Sequence, residues 1–319
     1  MRILTRKSLP PWRWLKLFFL VDPRRLDGIS SQMSGSISES EKLKLAKEYS
    51  NIVGRICVGI TTKTTRIDRM REMDIAITTL IKQTPGSFSN AAIKMLDMGA
   101  SDGSSTMTAL TRLKEECDVD ASAIALDLYV ELVEYKSGLF CEYRLNDGYP
   151  VLLRLGPIGI QLSPIAVARR PVEKLVGKCL SKLGFVGKST NVQKSWSLLN
   201  PIVANSQKVS LQQGNLFEVD NDFVDQFEIV RASNVLNRSY FSDDLIKKGL
   251  YVAKQYVKNN GYLIVSRNRK SNEGEIENGT IWQRTDDSFH VATLVGDGSD
   301  VSELIDAYDE DSQTEVQNV

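Results

Sequence analysis

Histidine is almost absent from the sequence, which has one, His290, and its four cysteines form no C-x-x-C pair. Zinc sites built on His and Cys, and catalysis by a Ser-His or Cys-His pair, need such residues in combination. Scattered cysteines in a chain of this size indicate a reduced compartment rather than a disulfide scaffold. The sequence therefore argues against a zinc enzyme and predicts a cytoplasmic protein.

The sequence also has no excess of positive or negative charge, because 40 Lys and Arg residues balance 40 Asp and Glu residues. A nucleic-acid partner is not expected from this balance. The charges are nevertheless unevenly placed, since the first 25 residues are basic and no Lys or Arg follows Arg284.

No apolar run reaches the roughly 18 to 20 residues that span a bilayer. The nearest run, Leu15 to Val21, follows a basic stretch and is interrupted by Lys16. It resembles the first half of a signal peptide, but no small-residue cleavage site follows it. Peripheral membrane contact through this N-terminus, with Trp12 and Trp14, is an open alternative.

We expect several parts along the chain. They are a basic N-terminal segment and flexible linker at 1–40, an N-terminal helical extension at 41–90, a main domain at 91–296 with an insertion at 138–206, and an acidic C-terminal tail at 297–319.

Apolar periodicity predicts strands that alternate with helices in the main domain. The predicted strands are 93–98, 122–128, 208–214, 227–233 and 262–267. Two helices precede them, one from Glu41 and one from Ile67 to Lys82, and another follows Ser242 as its N-cap. The runs 280–284 and 288–294 favour an antiparallel pair. This order predicts an α/β fold, a three-layer αβα sandwich around a mostly parallel sheet.

The turn after the first strand is typical of a nucleotide-binding protein. Gly99 and Gly103 bracket it, a helix follows, and Asp127 ends the next strand. A carboxylate at that position can accept hydrogen bonds from both hydroxyls of a ribose. Such ligands bind at the carboxyl ends of the strands.

The same turn lacks the middle glycine of the NAD fingerprint G-x-G-x-x-G, because Ser101 occupies that position. Asp97 and Asp102 place negative charge beside it, which would repel a diphosphate. A cationic nucleoside without phosphate fits this turn better.

These residues resemble a known family, the class I (Rossmann-like) S-adenosylmethionine-dependent methyltransferases. The segment Leu96 to Gly103 resembles their first motif, and Asp127 matches their ribose-binding acid. The segments Gly214 to Phe217 and Phe227 to Leu236 resemble those after the third strand and at the fourth. The stretch Arg231 to Phe241 is similar to bacterial members with an R-x-x-N-V-L pattern, including the chemotaxis-receptor methyltransferases.

The resemblance implies S-adenosyl-L-methionine as cofactor and a seven-stranded sheet with an antiparallel last strand. The cofactor-binding residues that it implies are Asp97, Gly99, Ala100, Ser101, Asp102, Gly103, Asp127, Asn215, Leu216 and Ser233. Asn234 could orient a methyl acceptor through its amide, with Arg238 and Tyr240 as further candidates. The N/D-P-P-Y/F motif of amino-group DNA methyltransferases is missing.

The acceptor is not identified by the sequence, although an oxygen or nitrogen nucleophile on a small molecule is favoured over a protein. The insertion contains β-strand patterns at 140–144, 151–155 and 158–162, which predict a hairpin or a three-stranded piece. We expect it to cap the pocket together with the N-terminal helices. A catalytically silent Rossmann-like binding module and a nicotinamide-dependent oxidoreductase are the alternatives, and Asn234 could simply be a turn residue.

Overall fold

The structure is a computed structural model that describes residues 23–54, 56–58, 61–63, 69–84, 92–137, 139–155, 158–161, 191–271 and 274–305. The predictions for the first 22 residues, including Trp12 and Trp14, and for the tail beyond residue 305 lie outside the described residues.

Helices and strands alternate from α3 to β4, and runs of consecutive strands follow at β4 to β9 and β12 to β14. The helices are α1 (Arg25–Met33), α2 (Glu39–Val53), α3 (Arg71–Gln83), α4 (Ser104–Cys117), α5 (Pro201–Ala204) and α6 (Asp243–Tyr256). The strands are β1 (Cys57–Val58), β2 (Thr61–Thr62), β3 (Ile93–Met98), β4 (Ala121–Asp127), β5 (Glu131–Ser137), β6 (Phe140–Leu145), β7 (Pro150–Leu155), β8 (Ile158–Gln161), β9 (Val192–Ser197), β10 (Val209–Gln213), β11 (Phe227–Ser233), β12 (Val257–Lys270), β13 (Glu275–Thr285) and β14 (Ser288–Val295).

The described residues group into two compact units. The first unit draws on the described parts of Met1–Thr65 and Tyr129–Ile202, and the second on the described parts of Arg66–Leu128 and Val203–Val319. Each unit therefore combines two separate stretches of the chain.

The second unit contains a seven-stranded sheet in the order β10-β4-β3-β11-β12-β13-β14. The first five strands in this order are parallel to their neighbours, which confirms the predicted α/β class. The strand order reverses between β3 and β11, and open α/β sheets generally bind ligands at such a switch point.

The other end of this sheet shows how the antiparallel strands arise. β13 runs antiparallel to β12, and β14 runs antiparallel to β13, pairing Thr285 with Ser288 across a tight turn. The predicted final pair is confirmed. Because both connections are hairpins, β13 opposes the parallel set and β14 returns to its direction.

The helix α6 packs on this sheet, and its sequence explains where it begins and which face it buries. Ser242 accepts a hydrogen bond from the backbone N–H of Leu245, and Asp243 and Asp244 lie in the positively charged first turn. Its apolar stripe packs in the main core of the unit, where Leu250 is completely buried.

The first unit has its own sheet, with five antiparallel strands in the order β8-β7-β6-β5-β9. Its core combines α1 and α2 with this sheet, and Tyr143 and Trp196 lie there with ring centroids 5.9 Å apart. The three predicted strand patterns are present as β6, β7 and β8. The turn between β6 and β7 contains Asn146-Asp147-Gly148, with Gly148 in the left-handed region at φ +83°.

Two sequence expectations need correction in the first unit. The linker expected before residue 41 is partly helical, since α1 buries Leu26, Ile29 and Met33 at helical spacing among small polar residues. The strands β5 and β9 were missed because they are rich in polar residues. Glu134 of β5 is nevertheless buried, and it accepts a hydrogen bond from Arg24.

Within the part of the chain that the structure describes, no helix combines the length and the apolar character needed to cross a bilayer.

Candidate functional site

The turn between β3 and α4 has the backbone conformation that its glycines predict. Gly99 and Gly103 have φ +75°, and Ser101 between them has φ +61°. A methyl group on Gly99 would lie 2.9 Å from Val235 Cγ2, so glycine also makes room for the chain that follows β11. Such a turn needs glycine or a tolerant short polar residue at each of these positions.

Asp127 lies beside this turn, as the sequence predicts. Its Oδ2 accepts a hydrogen bond from the backbone N–H of Ser101 at 2.9 Å. The side chain is largely buried at the carboxyl end of β4. The acid and the turn are therefore held together at one edge of the sheet.

The remaining residues of the turn stabilise the start of α4. Asp102 is completely buried and accepts the backbone N–H of Ser104 on Oδ1 at 3.0 Å. The backbone N–H groups of Gly99 and Ala100 both donate to the carbonyl of Leu126, at 2.7 and 3.2 Å. These contacts bind the turn to β4.

Asp97 is held by two side chains of the chain itself. Arg231 on the neighbouring strand donates to Asp97 Oδ1 through Nε at 3.0 Å and to Oδ2 through Nη2 at 2.5 Å. The Oγ1 of Thr106 also donates to Oδ2, at 2.5 Å. The predicted cofactor residue Asp97 is thus one half of a buried ion pair beneath the turn.

Asn215 and Leu216 follow β10, on the far side of β4 from the turn. Asn215 accepts the backbone N–H of Phe217 and donates to Glu218, while Leu216 is buried. A cleft of about 450 Å³ opens here. Its lining includes Leu126, Gly214, Asn215, Glu218, Val219 and Tyr256.

Ser233 and Asn234 stand at the end of β11. Ser233 Oγ lies 2.8 Å from Ser266 Oγ on β12. Asn234 has φ +60°, and its side chain exchanges two hydrogen bonds with Asn268, each 2.7 Å long. Its Nδ2 also lies 3.6 Å from the sulfur of Met70. The amide proposed for an acceptor is therefore engaged within the chain.

Arg238 and Tyr240, the further candidates, lie in the loop before α6. Arg238 is exposed and forms ion pairs with Asp243 and Glu303. The Tyr240 ring packs edge-on against Phe241 with centroids 6.3 Å apart. Neither contact brings these side chains to Asn234.

Two buried acids near Arg231 and the first turn of α3 were not predicted from the sequence. Asp74 on α3 accepts a hydrogen bond from Arg231 Nη1 at 3.1 Å, and Glu277 on β13 caps the first turn of α3. Burial, opposed in part by Arg231, raises the pKa of Asp74 to about 7. Burial also raises the pKa of Glu277 to about 7. Asp74 does leave a signal, because it interrupts the apolar stripe of α3.

The predicted residues form one row, because the sheet order places the ends of β10, β4, β3 and β11 side by side. Asn215, Asp127, the turn and Asn234 follow one another along this edge. A second cleft, of about 330 Å³, opens at the opposite edge beside Lys94 and Lys208. The fold gives no reason to place the predicted ligand there.

These residues fit the nucleoside half of S-adenosylmethionine. The turn offers backbone and carboxylates but no basic side chain, so it suits a cationic nucleoside better than a diphosphate. The resemblance predicts a ribose at Asp127 and a base beside Asn215. The structure places Asp127 against the turn and Asn215 at the edge of a cleft. Asp97, in contrast, already neutralises Arg231.

Neither a family model nor a curated protein matches the chain. Solved structures show distant likeness to the citrinin polyketide synthase CMeT domain, at 12% identity and TM-score 0.34, over 73% of this chain and 41% of that one. An O-methyltransferase family protein from Burkholderia thailandensis gives 13% and 0.28, over 62% of this chain and 39% of that one. The chain spans about two fifths of the length of these two proteins.

A third solved structure is SAM-bound CalS10, an amino pentose methyltransferase from Micromonospora echinaspora. It is 10% identical to this chain with a TM-score of 0.31, over 74% of this chain and 79% of that one. Likeness at these values carries no assignment of function.

Proposed function

We propose that this protein is an S-adenosylmethionine-dependent methyltransferase. The observation that carries the proposal is the hydrogen bond from the backbone N–H of Ser101 to Asp127, at 2.9 Å. It joins a turn that has left-handed residues and no basic side chain to a carboxylate at the carboxyl end of the next strand. That pairing is what a ribose and a cationic sulfur require of a nucleoside site.

Each residue of the row has a distinct role in this proposal. Asp127 binds the ribose hydroxyls, since a carboxylate can accept several hydrogen bonds at once. Gly99 to Gly103 lies along the nucleoside, and Asp102 contributes negative charge near the sulfonium. Asn215 and Leu216 border the space for the adenine.

When bound, the cofactor would supply a methyl group on a positively charged sulfur. An acceptor oxygen or nitrogen would form the new bond to that methyl group as the methyl–sulfur bond breaks, leaving S-adenosylhomocysteine and releasing the acceptor's proton to solvent. The chain contributes positioning and exclusion of water rather than covalent chemistry. Asn234 orients the acceptor at the end of β11, and Asp97 acts by holding Arg231 rather than by touching the ligand.

A catalytically silent binding module is the second candidate, because one observation favours it. The side chain of Asn234 is engaged by Asn268 and Met70, so the described conformation presents no acceptor position at that residue. A protein that binds the cofactor and never releases S-adenosylhomocysteine would match this reading.

Calorimetric titration of the full chain with S-adenosylhomocysteine tests the proposal. We expect binding, and we expect Asp127→Ala to weaken it by about 10-fold to 100-fold, which corresponds to losing a charged hydrogen-bond partner. The matched control is Asp120→Ala, because Asp120 is an exposed acid at the opposite end of the same strand. Equal affinity of the two variants would remove Asp127 from the site.

One further titration and one turnover assay separate the alternatives. Binding of NAD in place of S-adenosylhomocysteine would favour an oxidoreductase, which the turn disfavours. Release of S-adenosylhomocysteine when S-adenosylmethionine is incubated with small hydroxyl or amine acceptors distinguishes the enzyme from the silent module. The localisation, the membrane contact and the class of acceptor stay predictions from the sequence.

A further inference from the structure

The first turn of α3 lies against the carboxyl ends of β11 and β12. Met70, the N-cap residue, is buried, and its sulfur lies 3.6 Å from Asn234 Nδ2 and 3.9 Å from Ser266 Oγ. The preceding carbonyl, of Arg69, accepts a hydrogen bond from Asn268 Nδ2 at 3.0 Å. This turn therefore covers the residue that the proposed reaction needs for its acceptor.

The contact with Met70 is the weakest that Asn234 makes. The backbone N–H of Asn268 donates to Asn234 Oδ1, and Asn234 Nδ2 donates to Asn268 Oδ1. The thioether of Met70 takes the other hydrogen, and sulfur is a poor acceptor. An oxygen or nitrogen of an incoming molecule would replace that sulfur with a stronger hydrogen bond.

The first turn of α3 is held in place by a side chain of β13. Met70 supplies no side-chain cap to α3. Instead, Glu277 Oε2 accepts the backbone N–H groups of Glu72 at 2.9 Å and Met73 at 3.4 Å. A carboxylate at a helix N-terminus satisfies free N–H groups and suits the helix dipole. Removing Glu277 would leave the start of α3 without a cap.

A second acid anchors the same helix. Asp74 pairs with Arg231, which Asp97 also neutralises, and Arg112 of α4 and Glu277 of β13 are the other charges that face Asp74. Within the described residues, Asp74 Oδ2 and Glu277 Oε1 are buried and accept no hydrogen bond. Each acid therefore holds the start of α3 through its other carboxylate oxygen, Asp74 Oδ1 and Glu277 Oε2.

We propose that the first turn of α3 is a gate in which Met70 occupies the place of the methyl acceptor, and that Glu277 and Asp74 form the latch that holds it closed. The acceptor enters when the turn withdraws from Asn234. The identity of the entrant as a methyl acceptor rests on the proposed function, whereas the gate itself is a property of the chain alone.

Oxidation of methionine by dilute peroxide, followed by peptide mass spectrometry, reports on the gate in the full chain without any ligand. We expect Met70 to oxidise about five-fold faster or more in Glu277→Ala than in the unaltered protein, which is the fold-change expected for a lost helix cap. Glu277→Gln keeps an acceptor for the two N–H groups and should restore protection.

The matched control is Ser242→Ala, which removes the cap of α6 in the same unit. It should leave Met70 protected. Met95, buried in β3, serves as an internal measure of global unfolding and should stay protected in every variant.

Equal oxidation of Met70 in Glu277→Ala and Ser242→Ala would overturn the gate, as would oxidation of Met95 in step with Met70. A Met70 response in a chain that does not bind S-adenosylhomocysteine would overturn the proposed function and the assignment of the gate to a methyl acceptor. A Met70 response together with that binding supports both.

Discussion

Arg231 on β11 holds Asp97 on β3 by two hydrogen bonds, and both side chains are almost completely buried. This pair joins the two strands that flank the switch point of the sheet. Asp74 shares the same guanidinium, so one cation serves two buried acids.

The first prediction concerns this cation. Arg231→Met leaves Asp97 and Asp74 buried without their partner, and we expect it to lower the free energy of unfolding by about 3–5 kcal/mol. Urea denaturation measures this loss. The matched control is Arg238→Met, because Arg238 forms its ion pairs at the exposed surface, and its urea midpoint should stay close to that of the unaltered protein.

The second prediction concerns pH. Burial raises the folded-state pKa of Asp74 to about 7, above its ordinary value in an unfolded chain, so the folded protein binds this proton more tightly. The stability from that proton is complete below about pH 4 and is lost as the pH rises through about 7. The unfolding free energy of the unaltered protein, relative to Asp74→Asn, should therefore fall over this interval.

Urea denaturation of both proteins at pH 5, 6, 7 and 8 measures that difference. The comparison with Asp74→Asn cancels carboxyl groups that do not interact with Asp74. One of these is Asp300, where burial raises the pKa but Arg267 and Arg269 together lower it below its ordinary value. A difference that does not change with pH would contradict the assignment of a buried, protonated Asp74.

The third prediction contrasts two glycines. Gly99→Ala meets both a left-handed φ of +75° and a clash with Val235, and should cost about 1–3 kcal/mol. Gly28 lies exposed within α1 with open space around it, so Gly28→Ala should stabilise the protein by about 0.5–1 kcal/mol. Thermal unfolding measures both.

A double variant tests the reason for the first of these effects. Adding Val235→Ala to Gly99→Ala removes the clash and leaves the backbone strain, so part of the lost stability should return. If the double variant is no more stable than the sum of the two single changes predicts, Val235 is not the neighbour that matters.

The fourth prediction concerns the first unit. Leu26 of α1 is buried against the five-stranded sheet, and Leu26→Ala should cost about 2–5 kcal/mol. Hydrogen exchange should then speed up in β5 and β6, although they are far away in sequence, and stay slow in β3 and β4. Leu250→Ala, in the core of the second unit, should give the reverse pattern.

The sequence predicted β3 and β4 well because both are short, mostly apolar runs followed by clear turns. It placed β12 at 262–267, whereas the strand begins at Val257 in a polar stretch. It also predicted the turn at Gly99 to Gly103 and the position of Asp127. Glycines and acids at strand ends are local signals that do not depend on tertiary packing.

The remaining features depend on contacts between residues far apart in the chain. The strand β5 was missed because Glu134 is polar, and only its pairing with Arg24 explains its burial. The capping of α3 by Glu277 has no local signature, since the acid lies on a strand formed much later in the sequence. The engagement of Asp97 by Arg231 likewise follows from strand order.

The division of the first unit between two stretches of chain affects how the protein folds while it is being synthesised. α1 and α2 leave the ribosome before β5 to β9 are synthesised, so their apolar faces stay unburied until that sheet forms. The strands β3 and β4 emerge in between, and their sheet is complete only after β10 to β14 have been synthesised. Long-range closure of this kind slows folding and leaves apolar surface exposed, so we expect the nascent chain to rely on chaperones until the final hairpin is complete.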